Sequence, residues 1–213
     1  MQAMSDSLLA QLRLGVEAMG LTASDFPLQN YVSFVELLAQ WNKAYNLTAI
    51  RDPEKMLAYH VLDSLSILPF VHGNDCLDIG TGAGLPGIIL ALAKPDTHWV
   101  LLDGNNKKIR FVQQAIIALN LDNVEVVCSR IEKYGPEHNF STIVSRAFGS
   151  LHAFYTCSHH LLAPGGSLLA MKGPDPENEI SALSAEDVST TITPLSVPGV
   201  TAGRTLVQIM PRH

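Results

Sequence analysis

Residues 76–90 read CLDIGTGAGLPGIIL, an apolar run that breaks into glycines and then becomes apolar again. No other stretch limits the possible folds so sharply. It calls for a strand, a tight reversal and a helix, with Gly80, Gly82, Gly84 and Gly87 at the reversal. Glycine permits positive φ there and lets a ligand approach the main chain with no Cβ in the way. The alternation continues from residue 75 onward. Short strand-like runs at 75–79, 98–103, 123–128, 141–147 and 166–172 are separated by helical stretches at 86–94, 105–120 and 150–162. Strands alternating with helices imply a parallel sheet covered on both faces. The last two runs, VSTTITPLSV (188–197) and RTLVQIM (204–210), have no helix between them and suit a closing antiparallel pair.

Ahead of this lies helical periodicity over residues 5–70. Leu28, Tyr31, Val32, Val35, Leu38 and Tyr45 fall near one helix face, with Pro27 suited to the first turn. Asp52-Pro53 is an N-cap followed by proline at the first helical position, and Leu57, Val61, Leu65 and Leu68 line one side of the helix it opens. The expected organisation is a helical N-terminal extension (1–70) packed on a doubly wound α/β domain (71–213).

Bulk properties exclude several classes. At 47% hydrophobic and 16% charged residues, the chain has a globular composition. No apolar run reaches the roughly 18–20 residues a membrane helix needs. The start, MQAMSDSLLAQLRLGVEAMG, has no basic segment leading an apolar block, so no secretory leader is expected. Cys76, Cys128 and Cys157 are odd in number and form no CxxC, which fits a reduced cytoplasmic setting, with Cys76 and Cys128 expected as buried thiols. The eight histidines form no HxxxH or HExxH pattern, so no metal is expected. A net charge of −6 argues against indiscriminate nucleic-acid binding. Charge is unevenly spread, however: residues 174–203 hold five acids and no Lys or Arg, whereas NNKKIRF (105–111), Arg130, Lys133, Arg146 and Lys172 offer a basic face.

In open α/β sheets, ligands bind beyond the C-terminal strand ends. Residues 82–87, GAGLPG, match the dinucleotide pattern G-x-G-x-x-G. The register differs, because the strand ends at Ile79 and the sixth position counted from Gly80 is Leu85. Asp78 puts a carboxylate where a sulfonium or ammonium fits better than a pyrophosphate. Asp103 closes the next strand and suits ribose hydroxyls. SRIE (129–132) closes the third, where the backbone of Ile131 and Glu132 suits an adenine edge. These residues favour S-adenosylmethionine (SAM) and a methyltransferase. A nicotinamide oxidoreductase and a non-catalytic SAM- or RNA-binding module remain as alternatives.

WNKAYNLTAI (41–50), YHVLDSL (59–65), DIGTGAGLPGIIL, LLDGNNKKIRF, SRIE, VSRAF and MKG occur in one order along the chain. Together they resemble the bacterial 16S rRNA methyltransferase G family, also called glucose-inhibited division protein B, over roughly residues 30–210. The resemblance implies a Rossmann-like class I SAM-dependent methyltransferase fold with a mostly parallel seven-stranded sheet. It implies methyl transfer from SAM to N7 of a guanosine in the 530 loop of 16S rRNA, in the 30S subunit or an assembly intermediate. By motif position, Gly80, Leu85, Ile131, Glu132 and Arg146 correspond to the family's cofactor contacts, alongside Asp78, Gly82 and Asp103 read from the residues themselves. The family usually has Arg where this chain has Tyr59, and Ser where it has Gly104.

Guanine N7 carries an in-plane lone pair. It attacks a methyl sulfonium without prior deprotonation, so the lack of an evident nucleophile–base set is consistent with this chemistry. Arg146 and Lys172, which come after the fourth and fifth strands, are the expected catalytic cations: Arg146 lining the pocket, Lys172 contacting base or phosphate. Asn42, Asn46, His60, Lys107 and Lys108 are candidate RNA contacts, with Asn46 also suited to a helix cap; His60 shares a helix face with Asp63 and Ser64, and its place in the family motif suits an RNA-facing or a pocket-closing role. No DNA or membrane partner is expected, and the chain is expected to be a monomer.

Overall fold

A computed structural model of the protein describes residues 2–146, 148–183 and 186–212; residue 147, which ends the fourth strand-like run, lies outside them. Seven strands form one sheet: β1 (Asp75–Ile79), β2 (His98–Asp103), β3 (Val124–Cys128), β4 (Phe140–Ser145), β5 (Leu162–Lys172), β6 (Val188–Leu195) and β7 (Arg204–Pro211). Their order is β3-β2-β1-β4-β5-β7-β6. β1 to β5 run parallel, and β7 lies antiparallel between β5 and β6, as expected of the last two runs.

Side chains alternate across the sheet and divide the core in two. On one face Cys76, Trp99, Leu101, Val144 and Leu169 pack beneath α1 (Gln2–Ala18), α2 (Leu28–Tyr45), α5 (Gly87–Ala93) and α6 (Asn106–Leu119). On the other, Leu77, Val100, Ile143 and Leu168 meet Leu151 and Phe154 of α7 (Leu151–Ser158). The N-terminal helices share the first of these cores. Leu8, Leu12 and Val16 of α1 are buried, each contributing roughly 1.5–3 kcal/mol. α2 meets α6 through Phe34 and Trp41, whose rings lie 6.0 and 5.7 Å from that of Phe111.

The segment opened by Asp52 starts as the sequence indicates, with the Asp52 carboxylate accepting from the Glu54 amide at 3.1 Å and Pro53 in the first turn. It then departs from a regular helix. α3 (Pro53–Met56) passes into a π-helical stretch (Leu57–Leu62) and resumes as α4 (Asp63–Leu65). Six consecutive side chains, His60 to Leu65, are buried, because α1 and α2 pack on the π-helical stretch and α5 packs on α4.

Two expectations are corrected. Cys76 is buried, and its thiol is pushed up to about 12 by desolvation, but Cys128 is exposed because β3 forms the sheet edge with solvent on one side. The fifth strand begins at Leu162, not Gly166, and α7 ends at Ser158. A register shift opposite Phe140–Thr142 absorbs the Pro-Gly-Gly run inside the strand. A Cβ at Gly166 would press on the carbonyls of Ala163, Phe140 and Ser141.

Candidate active site

The chain leaves β1 and reverses through Gly80 and Gly82, at φ +71° and +62°. A Cβ at Gly80 would meet nothing within 4 Å, so backbone conformation, not crowding, demands glycine and leaves open space beside it. The turn folds back on the end of β2. The Gly80 and Thr81 amides both donate to the Leu102 carbonyl, at 2.8 and 3.0 Å, and the Gly82 amide donates to Asp103 Oδ2 at 3.0 Å. These three amides are therefore unavailable to the pyrophosphate that a nicotinamide cofactor would bring.

Two carboxylates flank the turn. Asp78 is wholly buried beneath it; Oδ2 accepts from the Thr81 hydroxyl (2.6 Å) and the Gly87 amide (2.9 Å). Oδ1 has no partner among the described residues. Burial pushes this carboxyl up to about 6, opposed by those two donors and by Arg146. Asp103 accepts from the Asn105 amide through Oδ1 at 2.8 Å, and Lys108 Nζ lies 3.5 Å from its other oxygen. Leu85 is buried, as is Ile131, which opens a 3-10 turn after β3 with Glu132 exposed beside it.

Next to the turn, where β4 and β5 end and β7 begins, is a cavity of about 350 Å³, within the range of small-ligand sites (about 300–1,000 Å³). Arg146, Lys172 and Arg204 line it with Tyr59, His60 and Asp63. Asp63 is the hub. Its Oδ1 accepts from Arg204 Nε at 3.0 Å, and its Oδ2 lies 3.5 Å from an Arg146 terminal nitrogen. That Arg146 nitrogen also donates to the Tyr59 carbonyl (3.0 Å) and sits 3.3 Å from His60 Nδ1. Burial raises the Asp63 carboxyl despite the opposing arginines, and lowers Arg146 despite Asp63 and Asp78. His60 is lowered to about 4, by desolvation first and then by the Arg146 charge, so it is neutral at neutral pH. Its Nε2 is 2.9 Å from the Thr48 hydroxyl, which also accepts from the Ile50 amide. A larger groove of about 770 Å³ lies between residues 24–27 and the C-terminal end of α6, at the opposite edge of the sheet.

A family profile described as rRNA small subunit methyltransferase G matches residues 27–207. The chain belongs to this family. A relative from Laribacter hongkongensis (strain HLHK9), named ribosomal RNA small subunit methyltransferase G, is 46% identical over 95% of this chain and 98% of its own. One of the same name from Alkalilimnicola ehrlichii (strain ATCC BAA-1101 / DSM 17681 / MLHE-1) is 47% identical over 95% and 92%. A solved SAM-dependent methyltransferase from Aquifex aeolicus superposes with a TM-score of 0.59 at 19% identity, covering 77% of this chain and 96% of that one. The class I methyltransferase fold that the family resemblance implied is thus observed.

Within this family member, the candidate residues fall into distinct groups. Arg146, His60 and Lys172 reach the cavity. Lys172, however, directs its ammonium to Glu179 Oε2 (2.8 Å) of α8 (Glu177–Ser181) and to the carbonyls of Gly149 (3.0 Å) and Phe148 (3.3 Å). Three acceptors match its three protons. Asn42 is buried, donating to the Ile50 carbonyl (3.1 Å) and accepting from the Thr48 amide (2.9 Å); it braces the NLTAI loop and presents nothing to RNA. Asn46 is exposed in a left-handed cap after α2, at φ +50°, with Arg51 on its side-chain oxygen. His60 is buried, so it faces the cavity and not the surface. Lys107 is exposed, whereas Lys108 leans on Asp103. The sequence reading passed over Arg204. Its signal was its place as the first base after the acidic 174–203 stretch, opening a strand whose partner ends at Lys172.

Proposed function

We propose that the chain transfers the methyl group of SAM to N7 of a guanosine in the 530 loop of 16S rRNA. The observation that carries this reading is the adjacency, on one sheet edge, of a carboxylate-flanked glycine turn and the arginine-lined cavity, in a member of this family. The turn fits a cationic nucleoside. Among the described residues Asp78 keeps one buried oxygen without a partner, and the amides of Gly80, Thr81 and Gly82 are engaged within the protein. Gly80, Gly82, Leu85, Asp78, Asp103, Ile131, Glu132 and Arg146 would hold SAM, which supplies an electrophilic methyl on a sulfonium.

This chain's residues then orient the base. Guanine presents N7 and O6 side by side, and an arginine bound to both would occupy the attacking lone pair. Arg146 and Arg204 therefore serve O6 or a phosphate and leave N7 clear. Asp63 fixes both guanidiniums from behind, and neutral His60 adds no charge to a base that becomes cationic. No residue removes a proton, and catalysis rests on orientation and a preorganised field.

Net charge of −6 favours a structured ribonucleoprotein, the 30S subunit or an assembly intermediate, over bare RNA. The reading includes a monomer acting in the cytoplasm; among the described residues no helix is long and apolar enough to cross a membrane. The test is transfer of labelled methyl from SAM to 30S subunits lacking the modification, followed by mapping. Label at N7 of the 530-loop guanosine is expected. Retained SAM binding without transfer, as from a non-catalytic binding module, or label elsewhere, refutes the assignment.

A further inference from the structure

At the opposite edge of the sheet, where the strands begin, Asp75, His98 and His138 meet. We propose that they form a binding site for a divalent transition metal of the zinc type. Asp75 opens β1 and pairs in register with His98, which opens β2, so the two side chains stand on the same side of the sheet. His138 arrives from the segment leading into β4, the strand on the other flank of β1. One carboxylate oxygen faces both rings: Asp75 Oδ1 is 3.5 Å from His98 Nδ1 and 3.8 Å from His138 Nε2. All three donor atoms lie within 4.8 Å of one another.

Those separations exceed hydrogen-bond lengths (about 2.7–3.2 Å). They approach the edge of a tetrahedron around zinc, about 3.3–3.4 Å for bonds of about 2.0–2.1 Å. Two imidazoles and a carboxylate are a borderline-soft set that suits zinc and its neighbours over magnesium or calcium. The fourth position stays open to water.

The three backbones are anchored independently of any ion. The Asp75 carbonyl accepts from the Ser141 hydroxyl at 2.8 Å, and the His98 amide donates to the Asn74 carbonyl at 2.7 Å. Asn139, next to His138, donates to the Leu162 carbonyl at 3.1 Å, and the His138 ring packs 5.1 Å from Phe140. Such anchoring limits the reorganisation that binding requires. The side chains are half-exposed and free to close the last distance. A bound ion would clip together the starts of β1 and β2 and the entry to β4, on the far side of the sheet from methyl transfer. Its effect is on stability, not on SAM affinity.

The test titrates Zn²⁺ alone into the full-length, untagged, chelator-treated protein, read by calorimetry and by imidazole NMR. One equivalent is expected, with shifted His98 and His138 ring signals and a raised Tm. His98→Asn and His138→Asn should each weaken binding at least about tenfold, since even outer-sphere partners are worth 10–100-fold. The double variant His159→Asn, His160→Asn should bind as the wild type does. Both single variants are checked for folding by SAM binding, and His138 is exposed enough for its substitution to leave the fold intact. Failure of the wild type to saturate with Zn²⁺ in excess would show the cluster to be an ion pair only. Binding left unchanged in both single variants would place the ion elsewhere. Either result overturns the proposal.

Discussion

If Asp78 supplies the counter-charge for SAM, cofactor affinity must track its protonation. The carboxyl is wholly buried and pushed up to about 6, so acidification from pH 7.5 to 5 converts most of the free protein to the neutral form. When only the ionised form binds, the dissociation constant scales as one plus the ratio of protonated to ionised Asp78. That ratio is about 10 at pH 5 and near zero at pH 7.5, giving affinity about tenfold weaker in acid, or about 1.4 kcal/mol. His60 does not interfere, because it titrates near 4. The assay is calorimetric SAM binding between pH 5 and 8, with Asp78→Asn alongside. The variant should bind weakly with a flat profile. The apo protein gives a second check. A carboxyl raised above its unfolded value contributes stability that is full below about 3.8 and lost as pH rises through about 6. Between pH 4.5 and 7.5 the wild type should therefore lose about 2 kcal/mol relative to Asp78→Asn. A wild-type affinity flat from pH 5 to 8, or an acid loss that persists in Asp78→Asn, would refute the reasoning.

The geometry sets four further outcomes. Asp63→Ala leaves Arg146 and Arg204 facing each other without their shared carboxylate, and should lower stability in urea by about 3 kcal/mol, the lower end for a broken buried pair because the guanidiniums are partly exposed. Lys172→Met and Glu179→Ala should reduce methyl transfer to a similar extent with SAM affinity kept, because each breaks the same clamp on residues 148–149 and 151; full activity in Glu179→Ala would refute the clamp as the role of Lys172. Asn42→Ala should cost about 1–3 kcal/mol in a denaturation curve by leaving the Thr48 amide and the Ile50 carbonyl unpaired. Lys107→Ala should reduce the salt dependence of 30S methylation by close to one counterion, whereas Lys108→Ala, which loses a charge already opposed by Asp103, should change it less.

Much of the sheet was legible because period and punctuation agree. β1, β2 and the closing antiparallel pair lie where alternation and glycine place them, and Asp52-Pro53 does start a helix. Failures occurred where a tertiary partner decides. Cys128 has the same strand-like neighbourhood as Cys76, and only the strand order reveals that one is at an edge and the other at the centre. The Pro-Gly-Gly run near the start of β5 reads as a loop, yet the backbone of β4 accepts it as a bulge. Nothing in YHVLDSL announces a π-helical stretch.

That stretch separates a list of plausible residues from a site. The buried run from His60 to Leu65 exceeds a full helical turn, so it is buried because neighbours surround it: α1 and α2 pack on the π-helical stretch and α5 on α4. Within it His60 and Asp63 face the strand ends, while Val61 and Leu65 enter the core behind them. Asp63 then meets Arg146, just past the end of β4, and Arg204 of β7, two cations that sequence order sets far apart and topology brings together. Sequence motifs mark what a ligand touches through the backbone, which is why the glycine turn was readable. The arginine pair depends on a carboxylate buried by its tertiary neighbours, so its role emerges only once the chain is folded.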